Sequence, residues 1–119
     1  MNQRFSQAFA FVSITLCLPL PAGAQSTFDG RYSGQRILVA DKSHGIQRPC
    51  QAGPFTVVVQ NGQFIQQVSG MSDLTVKIGP DGAFSAMAGD FRLSGRIVGN
   101  HYTADSNGSS CNFHFDAIK

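Results

Sequence analysis

The chain has 119 residues, with nine Lys and Arg against seven acidic residues and a formal net charge of +2. That balance is too weak to argue for nucleic acid or an anionic membrane surface as a partner. Every acidic residue is Asp; Asp favours turns, whereas Glu is the commoner helix residue, and no helical apolar periodicity follows residue 24, so helical architectures are excluded.

Residues 1–24 have the pattern of a secretory signal peptide. Arg4 supplies a positive start, residues 8–20 are apolar with few interruptions, and Ala22-Gly23-Ala24 is a small-residue exit suited to cleavage. The apolar run is too short to span a bilayer comfortably, so no membrane span is expected in the mature chain. Ile14-Thr15-Leu16 ahead of Cys17 lacks the small residue that a lipid-attachment site needs. The short polar start is bacterial in style, which points to a periplasmic or secreted protein. Residues 25–119 then form one small β domain.

Two cysteines, Cys50 and Cys111, follow the cleavage site. In an oxidising compartment an even pair most simply forms one disulfide. Closing so long a loop contributes on the order of 4 kcal/mol by the chain-entropy argument, a large share of the roughly 5–10 kcal/mol expected of a small domain.

The first strand is expected over residues 28–40. Phe28, Gly30, Tyr32 and Gly34 share one face, while Ile37 and Val39 have the opposite parity. A bulge near Gly34-Gln35 would return them to the core. Residues 41–53 form the longest connection and carry Lys42, His44, Arg48, Pro49 and Cys50; a connection of this length invites a binding role. Residues 55–59 and 63–68 read as a hairpin on Asn61-Gly62, setting Phe55, Val57 and Val59 against Val68, Gln66 and Phe64. Gln66 is the polar intruder on that inner face.

Residues 74–118 read as an unbroken antiparallel meander. Gly79-Pro80-Asp81-Gly82 is strong turn chemistry; it sets Gly79 opposite Ala83 and Ile78 opposite Phe84. A turn at Gly89-Asp90 sets Ala86 opposite Leu93 and Phe84 opposite Gly95. A turn at Gly99-Asn100 sets Ile97 opposite Tyr102 and Gly95 opposite Ala104. Asn107-Gly108 is the commonest kind of hairpin signal, and it sets Tyr102 opposite Phe113 and His101 opposite His114. These separately placed turns collect Leu74, Val76, Ile78, Phe84, Leu93 and Phe115 on one face. They put Lys77, Ser85, Arg92, Arg96, Asp105 and Asp116 on the other. A slip of one residue would exchange the faces.

The expected fold is therefore all-β: a small eight-stranded antiparallel meander closing as an up-and-down barrel, with a two-layer β-sandwich as the alternative. The disulfide favours closure, with the first strand beside the last. Strands of about six residues fill a barrel with their own side chains, which leaves at most a small cleft near Gln66 and the inner glycines.

No nucleophile–base–acid set stands out by spacing, and phosphate-loop, zinc-helix and dinucleotide patterns are missing from the sequence. The reading is of a protein that is not an enzyme and needs no cofactor. Its candidate binding residues are Lys42, His44, Arg48, Arg92 and Arg96, and its partner an envelope protein or a small ligand. A cross-strand His101–His114 pair on the outer face, with Asp116 beside it, is a candidate weak site for Zn²⁺ or Cu²⁺.

The glycine-punctuated pattern, with Phe28-Asp29-Gly30-Arg31-Tyr32 at the start and Cys111 in the last strand, resembles small uncharacterised secreted β-rich proteins of proteobacteria. That resemblance implies no activity. The size, the single disulfide and the eight strands are also similar to the periplasmic metalloprotease-inhibitor barrels, from which the chain departs in having no Trp and a different cysteine spacing. An inhibitor of that kind would act through residues 25–27 or the connection 41–53.

Overall fold

A computed structural model describes residues 27–43, 50–68 and 71–119. The signal-peptide reading, His44 and Arg48 lie outside the described residues. Eight strands follow in order: β1 (Gly30–Asp41), β2 (Gly53–Val59), β3 (Gln63–Gln66), β4 (Leu74–Lys77), β5 (Ala83–Ala88), β6 (Phe91–Val98), β7 (His101–Asn107) and β8 (Cys111–Ile118). They form a six-stranded sheet in the order β2-β1-β8-β7-β6-β5 and a two-stranded sheet of β3 and β4. All ladders are antiparallel. Among the described residues, no helix is long and apolar enough to cross a membrane.

Neither sheet closes, which overturns the barrel and favours the two-layer arrangement. The expected tight turns form everywhere except at Asn107-Gly108, but the chain changes partner inside two of them. At Gln60 and Gln63 the backbones exchange bonds of 2.9 and 3.2 Å, with positive φ at Asn61 (56°) and Gly62 (75°), as a two-residue hairpin turn requires. Asp29 clasps this turn, accepting from the Asn61 and Gly62 amides at 2.9 and 3.0 Å. Beyond it β2 stays with β1, while the Gly62 carbonyl already accepts from Ile78 N at 2.9 Å, in line with the β3–β4 ladder. The second corner behaves alike. Gly79 N donates to Ala83 O at 2.8 Å, yet Gly82 O accepts from Ile97 N at 2.9 Å and commits the chain to β6. Gly82 has φ of 90°, and a Cβ there would run into the Ile97 carbonyl.

The aromatic core explains why the layers stand apart. Phe64 on the small sheet meets Phe84 edge-on at 5.1 Å between ring centroids, and meets Tyr102 at 5.7 Å. Phe84 and Tyr102 stack at 5.3 Å. These rings fill the space between two facing sheets, roughly 10 Å in such folds. Tyr32, Val59, Val76, Leu93 and Ile97 complete the buried set.

Inner and outer faces agree with the parity reading: Val76, Phe84, Leu93, Tyr102 and Phe115 are buried, and Lys77, Ser85, Arg92, Arg96 and Asp105 are exposed. The registers of β5 with β6 and of β6 with β7 are the expected ones. The β7–β8 register is not. Tyr102 faces Ala117, and Phe113 faces Ser106. Asn107 and Gly108 take no positive φ; the reversal lies at Ser109-Ser110, closed by Gly108 N donating to Cys111 O at 3.0 Å. The slip is an even number of residues, so the faces are preserved. Its causes are tertiary: Lys42 N donates to Ser110 O at 2.6 Å, β1 pairs with β8 through Asp41↔Cys111, and Cys111 is bonded to Cys50 with the Cα atoms 5.7 Å apart.

The bulge in β1 also differs from expectation. It falls between Leu38 and Ala40, so Val39 points to solvent and Ile37 stays outside as well. Gly34 is regular strand; it is glycine because the backbone of Asp116 and Ala117 leaves no room for a Cβ.

Candidate functional site

Three rows of residues cross the sheet from β5 to β8. Ser85, Ser94, Asp105 and His114 form the first; Ala86, Leu93, Ser106 and Phe113 the second; Met87, Arg92, Asn107 and Asn112 the third. Alternation along each strand points the first and third rows outward and the second inward. A groove of about 860 Å³ is lined by members of all three rows and by Val39, but not by the inner neighbours Phe84, Phe91 or Phe115. It therefore lies on the outer face. Side chains of the first and third rows are its walls, the backbone of the second row its floor, and the Val39 bulge one end. Its length is set by three interstrand gaps, about 14 Å. A smaller hollow of about 470 Å³ lies against Lys77, Gly79 and Ala83, where β4 and β5 part.

The groove combines apolar lining from Val39, Ala86, Met87, Leu93 and Phe113 with polar groups along its walls. Arg92 donates from Nη1 to the Met87 sulfur at 3.1 Å, and among the described residues no carboxylate stands within ion-pair distance of it. Asn112 Oδ1 is buried without a hydrogen-bond partner among the described residues. Asn107 Oδ1 accepts from Lys42 Nζ at 3.4 Å, and Lys42 is held closer by the Gly108 carbonyl at 2.7 Å.

The expected binding residues are thus divided. Arg92 lies in the groove and Lys42 beside its Asn107 wall. Arg96 is two rows beyond Ser94, opposite Thr103, and 3.8 Å from Asp81. The sequence reading passed over Asn107 and Asn112. Their signal was the outward parity shared with Arg92, which is uninformative without the register.

The histidine pair is corrected by the same register. His101 faces Ile118 and His114 faces Asp105, so the two histidines are offset by four residues along β8, about 13 Å. Each has its own carboxylate: His101 Nε2 meets Asp116 Oδ1 at 2.6 Å, and His114 Nδ1 meets Asp105 Oδ1 at 2.8 Å. His101, His114 and Asp116 do not converge on one point, and no group of three metal-ligating side chains occurs among the described residues. Neither imidazole forms a hydrogen bond with a hydroxyl or thiol of the described residues.

One further polar group is unsatisfied. The Tyr102 phenol is buried without a hydrogen-bond partner among the described residues, and burial pushes its pKa well above the ordinary tyrosine value. Tyr32, equally buried, donates to Phe28 O at 2.7 Å.

No family model, no curated protein and no solved structure matches the chain.

Proposed function

We propose that this chain is a non-enzymatic binding protein of the bacterial envelope, exported by residues 1–24, and that it holds an envelope component in the outer-face groove. The observation that carries this reading is the groove itself: about 860 Å³, within the range typical of ligand sites, with an Arg92 in its wall that lacks a carboxylate partner among the described residues. The Cys50–Cys111 bond supports an oxidising destination.

Co-sedimentation tests it. The exported, disulfide-bonded protein is mixed with a sedimentable envelope fraction of a Gram-negative bacterium. The wild type is expected in the pellet. Ser94 is exposed at the centre of one wall, so Ser94→Trp fills the groove without touching the core and is expected in the supernatant. A wild type that stays soluble, or a Ser94→Trp variant that pellets equally, overturns the reading.

A further inference from the structure

We infer that the ligand of this groove is an acidic saccharide, a chain of sugar hydroxyls carrying a carboxylate or phosphate; the inference rests on the groove being the binding site. Three features of the walls and floor lead to it.

First, the groove crosses the strands instead of running along an edge, and its floor is backbone already engaged in the ladders between β5 and β8. An extended peptide gains its affinity by exchanging main-chain hydrogen bonds along a free sheet edge, and this floor meets such an edge only where it ends on β5. Across β6, β7 and β8 recognition falls to the side chains.

Second, those side chains are planar groups with paired polar atoms: Arg92, Asn107 and Asn112 on one wall and Asp105 on the other. An amide carries donors and an acceptor side by side, and a sugar hydroxyl both donates and accepts. Neighbouring hydroxyls thus satisfy both ends of an amide such as that of Asn107, which is exposed on the wall. An apolar ligand would leave these groups desolvated and unpaired, at a cost of about 1–3 kcal/mol each.

Third, the charges are unequally committed. Asp105 is engaged by His114 at 2.8 Å, whereas Arg92, among the described residues, makes only its contact with the Met87 sulfur. A guanidinium without a carboxylate partner is matched by a carboxylate or a phosphate, which it grips with two parallel hydrogen bonds.

Titration calorimetry of the exported, disulfide-bonded protein against three probes decides the matter: hexagalacturonate for the carboxylate, a phosphomannan fragment for the phosphate, and uncharged maltohexaose. One of the acidic probes is expected to bind about tenfold or more tightly than maltohexaose, and to weaken as salt rises. Which of the two binds names the acidic group. Arg92→Ala is expected to lose about tenfold or more, while Arg31→Ala, exposed on β1 away from the groove, leaves affinity unchanged. Maltohexaose binding as well as the acidic probes, no saccharide binding, or indifference to Arg92→Ala overturns the inference. If the protein binds none of the probes yet still co-sediments with envelope in a Ser94-dependent way, only the saccharide assignment falls. Loss of that co-sedimentation removes the envelope reading itself.

Discussion

The turns that join β5 to β6 and β6 to β7 use the same residues as those that join β2 to β3 and β4 to β5: Gly with Asn, Asp or Pro. In the first pair the hairpin continues into a ladder. In the second it stops after one or two bonds, because Gly62 and Gly82 have already passed their carbonyls to Ile78 and Ile97. A tight turn therefore specifies that the chain reverses, not which partner it keeps. The partner is chosen by what lies between the layers, here Phe64, Phe84 and Tyr102.

The sharpest way to break this contrast is to remove the ring that ties the small sheet down. Phe64→Ala should cost about 4 kcal/mol. Amide hydrogen exchange should accelerate first in β3 and β4, with β6 and β7 protected until global unfolding. Equal acceleration everywhere would show that the corners are not separate units. Next in size come the turn glycines. At Gly82 an added methyl meets both a positive φ and the Ile97 carbonyl, so Gly82→Ala should cost about 3 kcal/mol. Gly99 has a similar φ but open space around it, and Gly99→Ala should cost about 1 kcal/mol. Urea midpoints measure both, and equal losses would remove the distinction between corner and hairpin.

The two buried tyrosines give a smaller and opposite pair of effects. Tyr32→Phe removes a satisfied hydrogen bond and should cost about 1 kcal/mol; Tyr102→Phe removes an unsatisfied hydroxyl and should be neutral or slightly stabilising. The Tyr102 phenol is raised in the folded state, so the unfolded chain releases that proton first. Stability is full below pH about 10 and falls as pH rises above it. Denaturant midpoints at alkaline pH should decline less in Tyr102→Phe than in the wild type. The least effect is expected on the outer face, where Asp105→Asn, at an exposed pair with His114, should change stability by less than about 1 kcal/mol.

What was legible in the sequence was parity. Turn residues placed every reversal but the last, and period-two alternation assigned the faces of β4 to β8 correctly even where the register slipped, though not of Ile37 and Val39 in β1. The β7–β8 register was not legible, because Asn107-Gly108 is the better local turn and loses to bonds made by Lys42, Asp41 and Cys50, all distant in sequence. The candidate site shared that fate. Arg92 was visible as an outward cation, but the wall it forms with Asn107 and Asn112 exists only in the observed register. The β1 bulge was expected at Gly34-Gln35 and lies between Leu38 and Ala40; the lack of a side chain at Gly34 instead serves the close approach of β8.

The Cys50–Cys111 bond has a mechanical consequence. β1 and β8 lie antiparallel, with Ser33 beside Ile118 at one end and Asp41 beside Cys111 at the other. Tension on the two ends of the domain peels these strands apart one hydrogen bond at a time, which takes little force. When the peeling passes Asp41 and the connection to Cys50 straightens, the load reaches the sulfur–sulfur bond, and everything between Cys50 and Cys111 is bypassed. The oxidised protein should stretch by roughly 110 Å and then stiffen abruptly, with the β5–β6–β7 ladders still inside a covalent ring and β2 stripped of its β1 partner. A pull that far takes Val39, Asn112 and Phe113 out of the groove, so tension on the ends would release a ligand held there before it broke the covalent ring.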